Sequence, residues 1–556
     1  MSQLQEFGGT GTRFTPLRRS HRATVLAALL MVLTGAYLAH DLRSQGIYYD
    51  EYAQHRYGEA ILEWYRSGFA DTTFVELANL QLYGGAVELG LAAAVRVVAA
   101  DPYLVRHALV ACLALAALWG IFRLGSAIGS VWLGLIAMCL LATSPRFTGH
   151  ALFNSKDIPL ATFYVWTLVL AVRDVQRPVG TSLARVLPLG FMLGLLIGTR
   201  VGAGIIILAL FVAYLMRWWQ VGHDRTTLVF LAARLSAALL LAWGVMLSAW
   251  PWALQRPLTN PLLALMASSR FPWRHDQLFE GRFVSSLSLP LDYVPVWLAR
   301  TLSEVTLLGL ALALVFAVSR VRRGGEWRPE LVAVVVAGVL PLVYVLATRA
   351  ALYDETRHLL FLQPLIALAA AAGLIGTVSA VDRRSRRFAV AVAGLVALGL
   401  AMPVWDSARL APYQYVYFNR VSGGLAAAAG SFELDYWGLS YREGVERLAA
   451  LGLSADTRLA SCSHPMSTYH FAQRDFEYVG SLTFGTRGEA DYLLFTAPHD
   501  CGREPLSGER APIVTRDGVP LLYLVKVSMP GGTSVENRPD HRPGRTAALQ
   551  WNSDGR

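Results

Sequence analysis

GGAVELGLAAAVRVVAA, residues 84–100, is the stretch on which the topology of this chain turns. It is apolar enough to pass for a membrane span, yet it carries Glu88 and Arg96, each costing about 3 kcal/mol near the centre of a bilayer. The charges of the neighbouring loops arbitrate. With this stretch left out, apolar spans fall at 23–40, 105–122, 128–144, 158–172, 185–198, 201–217, 228–248, 300–318, 330–347, 358–378 and 388–405. The loops with Arg123, with Arg173, Arg177 and Arg185, with Arg217 and Arg225, with Arg320, Arg322, Arg323 and Arg328, and with Arg383, Arg384, Arg386 and Arg387 then share one side. That side also holds the basic N-terminal residues Arg13, Arg18, Arg19 and Arg22. Counting 84–100 as a span moves those loops to the opposite side, against the positive-inside bias. We therefore read it as a helix lying beside the membrane and expect about eleven spans.

Composition agrees with a membrane protein. Of 556 residues, 54% are hydrophobic and only 16% charged, with a mean hydropathy of +0.41; runs of about 20 apolar residues mark membrane helices. The net charge of +10 does not point to nucleic acid, because the arginines sit in short loops flanking apolar runs. Only two residues are lysine, Lys156 and Lys526. Cys112 and Cys139 lie in apolar segments, whereas Cys462 and Cys501 lie beyond the last span and are the two that can pair.

The organisation expected is a cytoplasmic segment at 1–22 and a membrane domain at 23–405 whose outer loop, 41–104, carries juxtamembrane helices. An extracytoplasmic α/β domain follows at 406–529, then a disordered tail at 530–556. In the α/β part, a helix is expected near 441–451, and strands near 458–462, 492–496 and 512–527, the last folded at Asp517-Gly518.

This topology gathers the unusual polar residues on the outer side. GIYYDEYAQHRYG (46–58) presents Asp50 and Glu51 just before an amphipathic helix whose apolar side is Tyr57, Ala60, Ile61, Trp64 and Tyr65. Asp50 reads either as the N-cap of that helix or as a carboxylate poised where a lipid-borne and a water-borne substrate meet. RFTGHALFNSKD (146–157) supplies His150, Asn154, Lys156 and Asp157. Asp157 with Pro159 has the look of a helix start; alternatively Lys156 holds a phosphate while Asp157 orients a hydroxyl, a metal or the lysine. Arg200 sits in a short turn. TRAALYDETRH (348–358) adds Tyr353, Asp354, Glu355, Arg357 and His358, where Arg357 offers a bidentate fork for phosphate and His358 a further donor. DYWG (435–438) adds Asp435 and Trp437 as candidate substrate contacts.

These motifs, in this order and spacing, resemble the GT-C glycosyltransferases, which include the protein O-mannosyltransferases and aminoarabinose transferases. SPRFTGHALFNSKDIP (144–159), YDETRHLLFLQP (353–364) and YVYFNRVSGGLAAAAGSFELDYWGLSYREG (415–444) are similar to bacterial family-39-like members. The resemblance implies an all-α polytopic membrane protein with a small C-terminal α/β domain outside the cytoplasm, in the inner membrane of a bacterium. It also implies a transferase that takes a sugar from a polyprenyl-phosphate carrier. Asp50 is then the acceptor-activating acid, with Glu51 as neighbour or substitute, and Asp157 the second-loop acid. Lys156, Arg200, Arg357 and His358 surround the donor phosphate. The resemblance leaves a divalent cation open, and the adjacent Asp50-Glu51 pair departs from the spaced acids of metal-using relatives. The acceptor, be it glycan, lipid or protein, is not specified. A flippase of lipid-linked sugars shares the spans and the basic site, but carriers place their sites near the midplane; a non-catalytic scaffold has no need of such segregation.

Overall fold

The computed structural model describes residues 21–77, 79–269, 275–325, 327–462, 464–481, 490–496 and 510–527. The expected tail at 530–556, most of the segment 1–22, and Cys501 lie outside the described residues, so the expected Cys462–Cys501 pairing is not described; Cys462 itself is buried and disulfide-bonded.

Helix α1 (His21–Asp41) leads into α2 (Glu51–Arg66) and α3 (Ala86–Val97), and the membrane helices continue with α4 (Pro102–Ile128) and α5 (Val131–Ala142). The short α6 (Pro145–His150) precedes α7 (Asp157–Val175), α8 (Leu187–Ile197), α9 (Ile206–Val221) and α10 (Arg225–Ala249). The loop that follows folds into α11 (Pro251–Gln255), α12 (Thr259–Ser269), a hairpin of β1 (Asp276–Phe279) and β2 (Arg282–Ser285), and α13 (Tyr293–Thr301). Then come α14 (Glu304–Arg322), α15 (Pro329–Thr348), a 3₁₀ turn (Arg357–Leu362) running into α16 (Gln363–Asp382), and α17 (Arg386–Leu410). Among the described residues nine helices are long and apolar enough to cross a membrane, and α5 and the Leu183–Ile197 segment are shorter apolar helices. These coincide with the eleven expected spans.

Several helices start where their sequences supply a cap. Asp101 accepts from Leu104 N at 2.9 Å with Pro102 next in line, Ser130 from Leu133 N at 3.1 Å, and Asp224 from Thr227 N at 2.8 Å. In apolar surroundings close backbone approach substitutes for the hydrophobic effect. A Cβ on Gly373 of α16 would lie 2.1 Å from Gly309 O of α14, so this contact requires glycine.

Helix α3 is the disputed stretch. Its 12 residues reach about 18 Å, too short for a hydrocarbon core of about 30 Å. Of its two charges Arg96 is exposed and Glu88 is buried: Arg106 of α4 pairs with Glu88 at 2.9 Å and with Glu51 of α2 at 3.4 Å, while His107 faces Glu51 at 3.0 Å. Tyr48 and Glu88 both reach Ser155 Oγ, at 2.9 and 2.8 Å. This fully buried cluster ties α2, α3, α4 and the loop before α7 together. Replacing Arg106 by leucine strands two buried carboxylates, so we expect it to cost about 3–5 kcal/mol, measured as lost folded protein on heating in lipid.

Beyond α17, α18 (Gly424–Ala428), α19 (Ser440–Ala450) and α20 (Pro465–Ala472) accompany a sheet of β3 (Arg458–Ser461), β4 (Glu477–Ser481), β5 (Tyr492–Phe495), β6 (Arg510–Arg516) and β7 (Val519–Lys526). The order is β4-β3-β5-β7-β6, with β3 parallel to both its neighbours and β7 antiparallel to β5 and β6. The β6–β7 turn is Asp517-Gly518, both at positive φ, as a two-residue hairpin of this kind needs. This domain clamps the first loop. Ser467 Oγ donates to Ile47 O at 2.6 Å, Arg442 to Gln45 O at 2.9 Å, and the backbone at Leu439 approaches Gly46 so closely that a Cβ there would sit 2.3 Å from Leu439 O.

Candidate active site

Four segments converge at one end of the helices: the start of α2, the loop into α7, the α8–α9 turn, and the 3₁₀ turn before α16. Asp50 occupies the N-cap position of α2, yet its side chain makes no capping hydrogen bond. Its Oδ2 instead meets Lys156 Nζ at 2.7 Å, with the carboxylate about one-third exposed and the lysine 12%. Burial alone would raise its pKa, but the Lys156 ammonium outweighs this and holds the carboxyl below its ordinary range. The lysine also lies 5.5 Å from the centre of the Tyr83 ring.

The cap at α7 belongs to Asn154, whose Oδ1 accepts from Lys156 N at 3.1 Å and Asp157 N at 2.8 Å. Asn154 Nδ2 in turn donates to Asp157 Oδ2 at 3.0 Å and lies 3.1 Å from His150 Nδ1. An amide nitrogen only donates, so His150 accepts at Nδ1 and its proton resides on Nε2, 3.2 Å from Tyr436 OH. Desolvation pulls the His150 pKa down to about 3, and the ring is neutral at physiological pH. The Asp157 carboxylate is buried and faces two guanidinium groups, Arg200 at 3.1 Å and Arg357 at 3.6 Å.

Arg357 is the hub. Its guanidinium pairs with Asp354 at 2.8 Å and lies over the rings of Tyr353 and Trp437, 4.9 and 4.8 Å from their centres. Trp437 Nε1 donates to Asp354 Oδ2 at 3.1 Å, and Trp437 stacks on Tyr48 at 4.7 Å. Burial raises the Asp354 pKa in spite of Arg357. Asp354 and Glu355 both adopt positive φ, 54° and 64°, a backbone strain of the kind that collects at functional sites. His358, its ring 4.6 Å from Tyr353, completes the turn. Arg357 Nη1, ion-paired with Asp157 at 3.6 Å, makes no hydrogen bond, and neither does the buried His358 Nδ1.

The structure thus brings together Asp50, Lys156, Asp157, Arg200, Tyr353, Asp354, Arg357, His358 and Trp437, with Asn154 and His150 behind them. Three of the sequence candidates stand apart. Glu51 is buried against Arg106 and His107, Glu355 is ion-paired with buried Arg146, and Asp435 is occupied by Leu439 N, Ser440 N, Ser440 Oγ and Tyr415 OH. Tyr83, Tyr436 and His464 were not singled out in the sequence, although His464 lies close enough to Asp50 to influence its charge. Only its place in HP, ahead of α20, marks it beforehand. Among the described residues no three histidine, cysteine or carboxylate groups converge, and Asp50 and Asp157 are each held by cations. With both carboxylates already neutralised, this donor set does not fit a divalent cation.

No family model and no curated protein matches the chain. Among solved structures it is similar to ArnT from Cupriavidus metallidurans bound to undecaprenyl phosphate, at 14% identity over 92% of this chain and 98% of that one, TM-score 0.48. It is also similar to the oligosaccharyltransferase AglB from Archaeoglobus fulgidus in complex with an inhibitory peptide and a dolichol-phosphate, at 14% identity, 86% and 69% coverage and TM-score 0.47. A third is the S. cerevisiae protein O-mannosyltransferase Pmt1-Pmt2 complex bound to the sugar donor, at 12% identity, 47% and 38% coverage and TM-score 0.34. With TM-scores below 0.5, these are proteins that the chain resembles.

Proposed function

We propose that this protein is a membrane glycosyltransferase that moves a sugar from a polyprenyl-phosphate carrier to an acceptor on the outer face of a bacterial plasma membrane. The observation that carries the reading is the pair of buried nitrogens without hydrogen bonds, Arg357 Nη1 and His358 Nδ1, set beside Lys156 and Arg200 and within the same cluster as the part-exposed Asp50. Buried nitrogens without hydrogen bonds, set among cations at the mouth of a helix bundle, suit an anion that arrives with its own tail in lipid.

The acceptor nucleophile attacks the anomeric carbon while its proton passes to Asp50. The bond from that carbon to the phosphate oxygen breaks, and its electron pair leaves with polyprenyl phosphate. Lys156, Arg200 and Arg357 stabilise the charge that grows on that leaving group. Asp157 keeps Arg200 and Arg357 aimed, and Trp437 with Tyr353 walls Arg357 on its faces. A carrier of lipid-linked sugars fits less well, since the polar groups cluster at the helix ends.

A polyprenyl phosphate bearing a photoreactive group next to its phosphate should label peptides spanning 150–160 or 353–364, and excess unlabelled polyprenyl phosphate should abolish the labelling. Labelling elsewhere, or labelling insensitive to the competitor, would exclude this site. For orientation, reporters fused after Arg177 or Arg323 should read as cytoplasmic and one after Asp406 as periplasmic. A cytoplasmic signal after Asp406 would mean that 84–100 spans the membrane.

A further inference from the structure

We propose that Lys156 serves the two halves of this reaction in turn, masking Asp50 at rest and passing to the donor phosphate, so that the base is freed only when a donor is in place. This rests on the glycosyltransferase reading above. Four cationic or neutral donors ring the site, and three of them are fixed. Arg200 is held on Asp157 at 3.1 Å; Arg357 is pinned between Asp354 and Asp157 and between two aromatic rings; His358 packs edge-on to Tyr353. Lys156 is different. Like Arg200 it has one carboxylate partner, Asp50 at 2.7 Å, but its ammonium hangs on a flexible stem that can redirect a point charge where a guanidinium fork cannot.

The chemistry gives this exchange a direction. A polyprenyl-phosphate sugar is a phosphodiester with one negative charge, and the departing polyprenyl phosphate is a monoester that gains a second. The pull on Lys156 therefore grows as the sugar–phosphate bond breaks. Asp50, losing its cation over the same interval, becomes more basic as the acceptor proton arrives. Without a donor the ion pair keeps Asp50 a poor base.

The test is the affinity of undecaprenyl phosphate for the full-length protein in lipid nanodiscs, measured for the parent, Asp50→Asn, Lys156→Met and the double variant. Where the phosphate competes with Asp50 for Lys156, Asp50→Asn should bind about tenfold more tightly than the parent, Lys156→Met about tenfold more weakly, and Asp50→Asn should change affinity less than about twofold in the Lys156→Met background. Lys156→Gln replaces Lys156→Met if the latter does not insert. Equal or weaker binding by Asp50→Asn would mean that Lys156 bridges both groups, and equal tightening in both backgrounds would mean simple charge repulsion; either overturns the exchange. A parent that binds no undecaprenyl phosphate overturns the donor reading itself and this proposal with it.

Discussion

Asp50→Asn is expected to insert and to resist heat like the parent, yet to transfer sugar at least about a hundredfold more slowly. An N-cap role would survive the change, since asparagine caps as well as aspartate; here the carboxylate makes no cap bond and faces Lys156. A base does not survive it, because an amide has no useful basicity. The adjacent acid offers no substitute. Glu51 is buried between Arg106 and His107, so Glu51→Gln should show itself as lost stability and leave turnover per folded molecule within severalfold of the parent. The two neighbours therefore separate cleanly, one change being kinetic and the other structural. If Asp50→Asn keeps transfer within severalfold of the parent, the proton is taken by another group.

Arg357→Gln is the second large effect. Removing a cation aimed at developing charge is expected to slow transfer about a hundredfold to a thousandfold. The same change takes from buried Asp354 its guanidinium partner and leaves Asp157 to Arg200, which costs about 3–5 kcal/mol, so the loss of rate must be told from a loss of fold. Adding Asp354→Asn relieves one stranded carboxylate. The double variant should regain thermal stability without regaining rate. Arg357→Lys keeps the charge but loses the fork held between Tyr353 and Trp437, and should remain at least about tenfold slow. Recovery of rate together with stability in the double variant would assign Arg357 a structural part only.

Much of the fold was legible because its signals are local. Apolar runs, arginine-rich loops and caps such as Asp101-Pro102 place each helix without reference to distant residues. The Asp517-Gly518 turn announced its hairpin in the same way. The hairpin at 276–285 was missed even though Glu280-Gly281 adopts the same pair of positive φ angles, because its strands are four residues each and alternate weakly. The site was legible as a set of residue types on one side of the membrane, and less so as geometry. Asp50 and Glu51 are neighbours at a helix start, where successive side chains diverge by about 100°; nothing in the sequence says which one turns toward Lys156 and which toward Arg106. Likewise the bond from Trp437 to Asp354 joins residues 83 apart, and the Arg146–Glu355 pair joins two motifs that each looked complete alone. Such contacts depend on how helices pack, and periodicity does not reach that far.

The central claim is that this protein cleaves sugar from a polyprenyl phosphate. It is tested most directly by reconstituting the purified chain in lipid vesicles with bacterial membrane extract as acceptor source, and following label in the sugar of polyprenyl-phosphate pentoses and hexoses. The account predicts that one such donor loses its label to the acceptor fraction with release of polyprenyl phosphate, and that Asp50→Asn vesicles fail to do so. Retention of label on every donor, or equal loss with parent and Asp50→Asn, would contradict it.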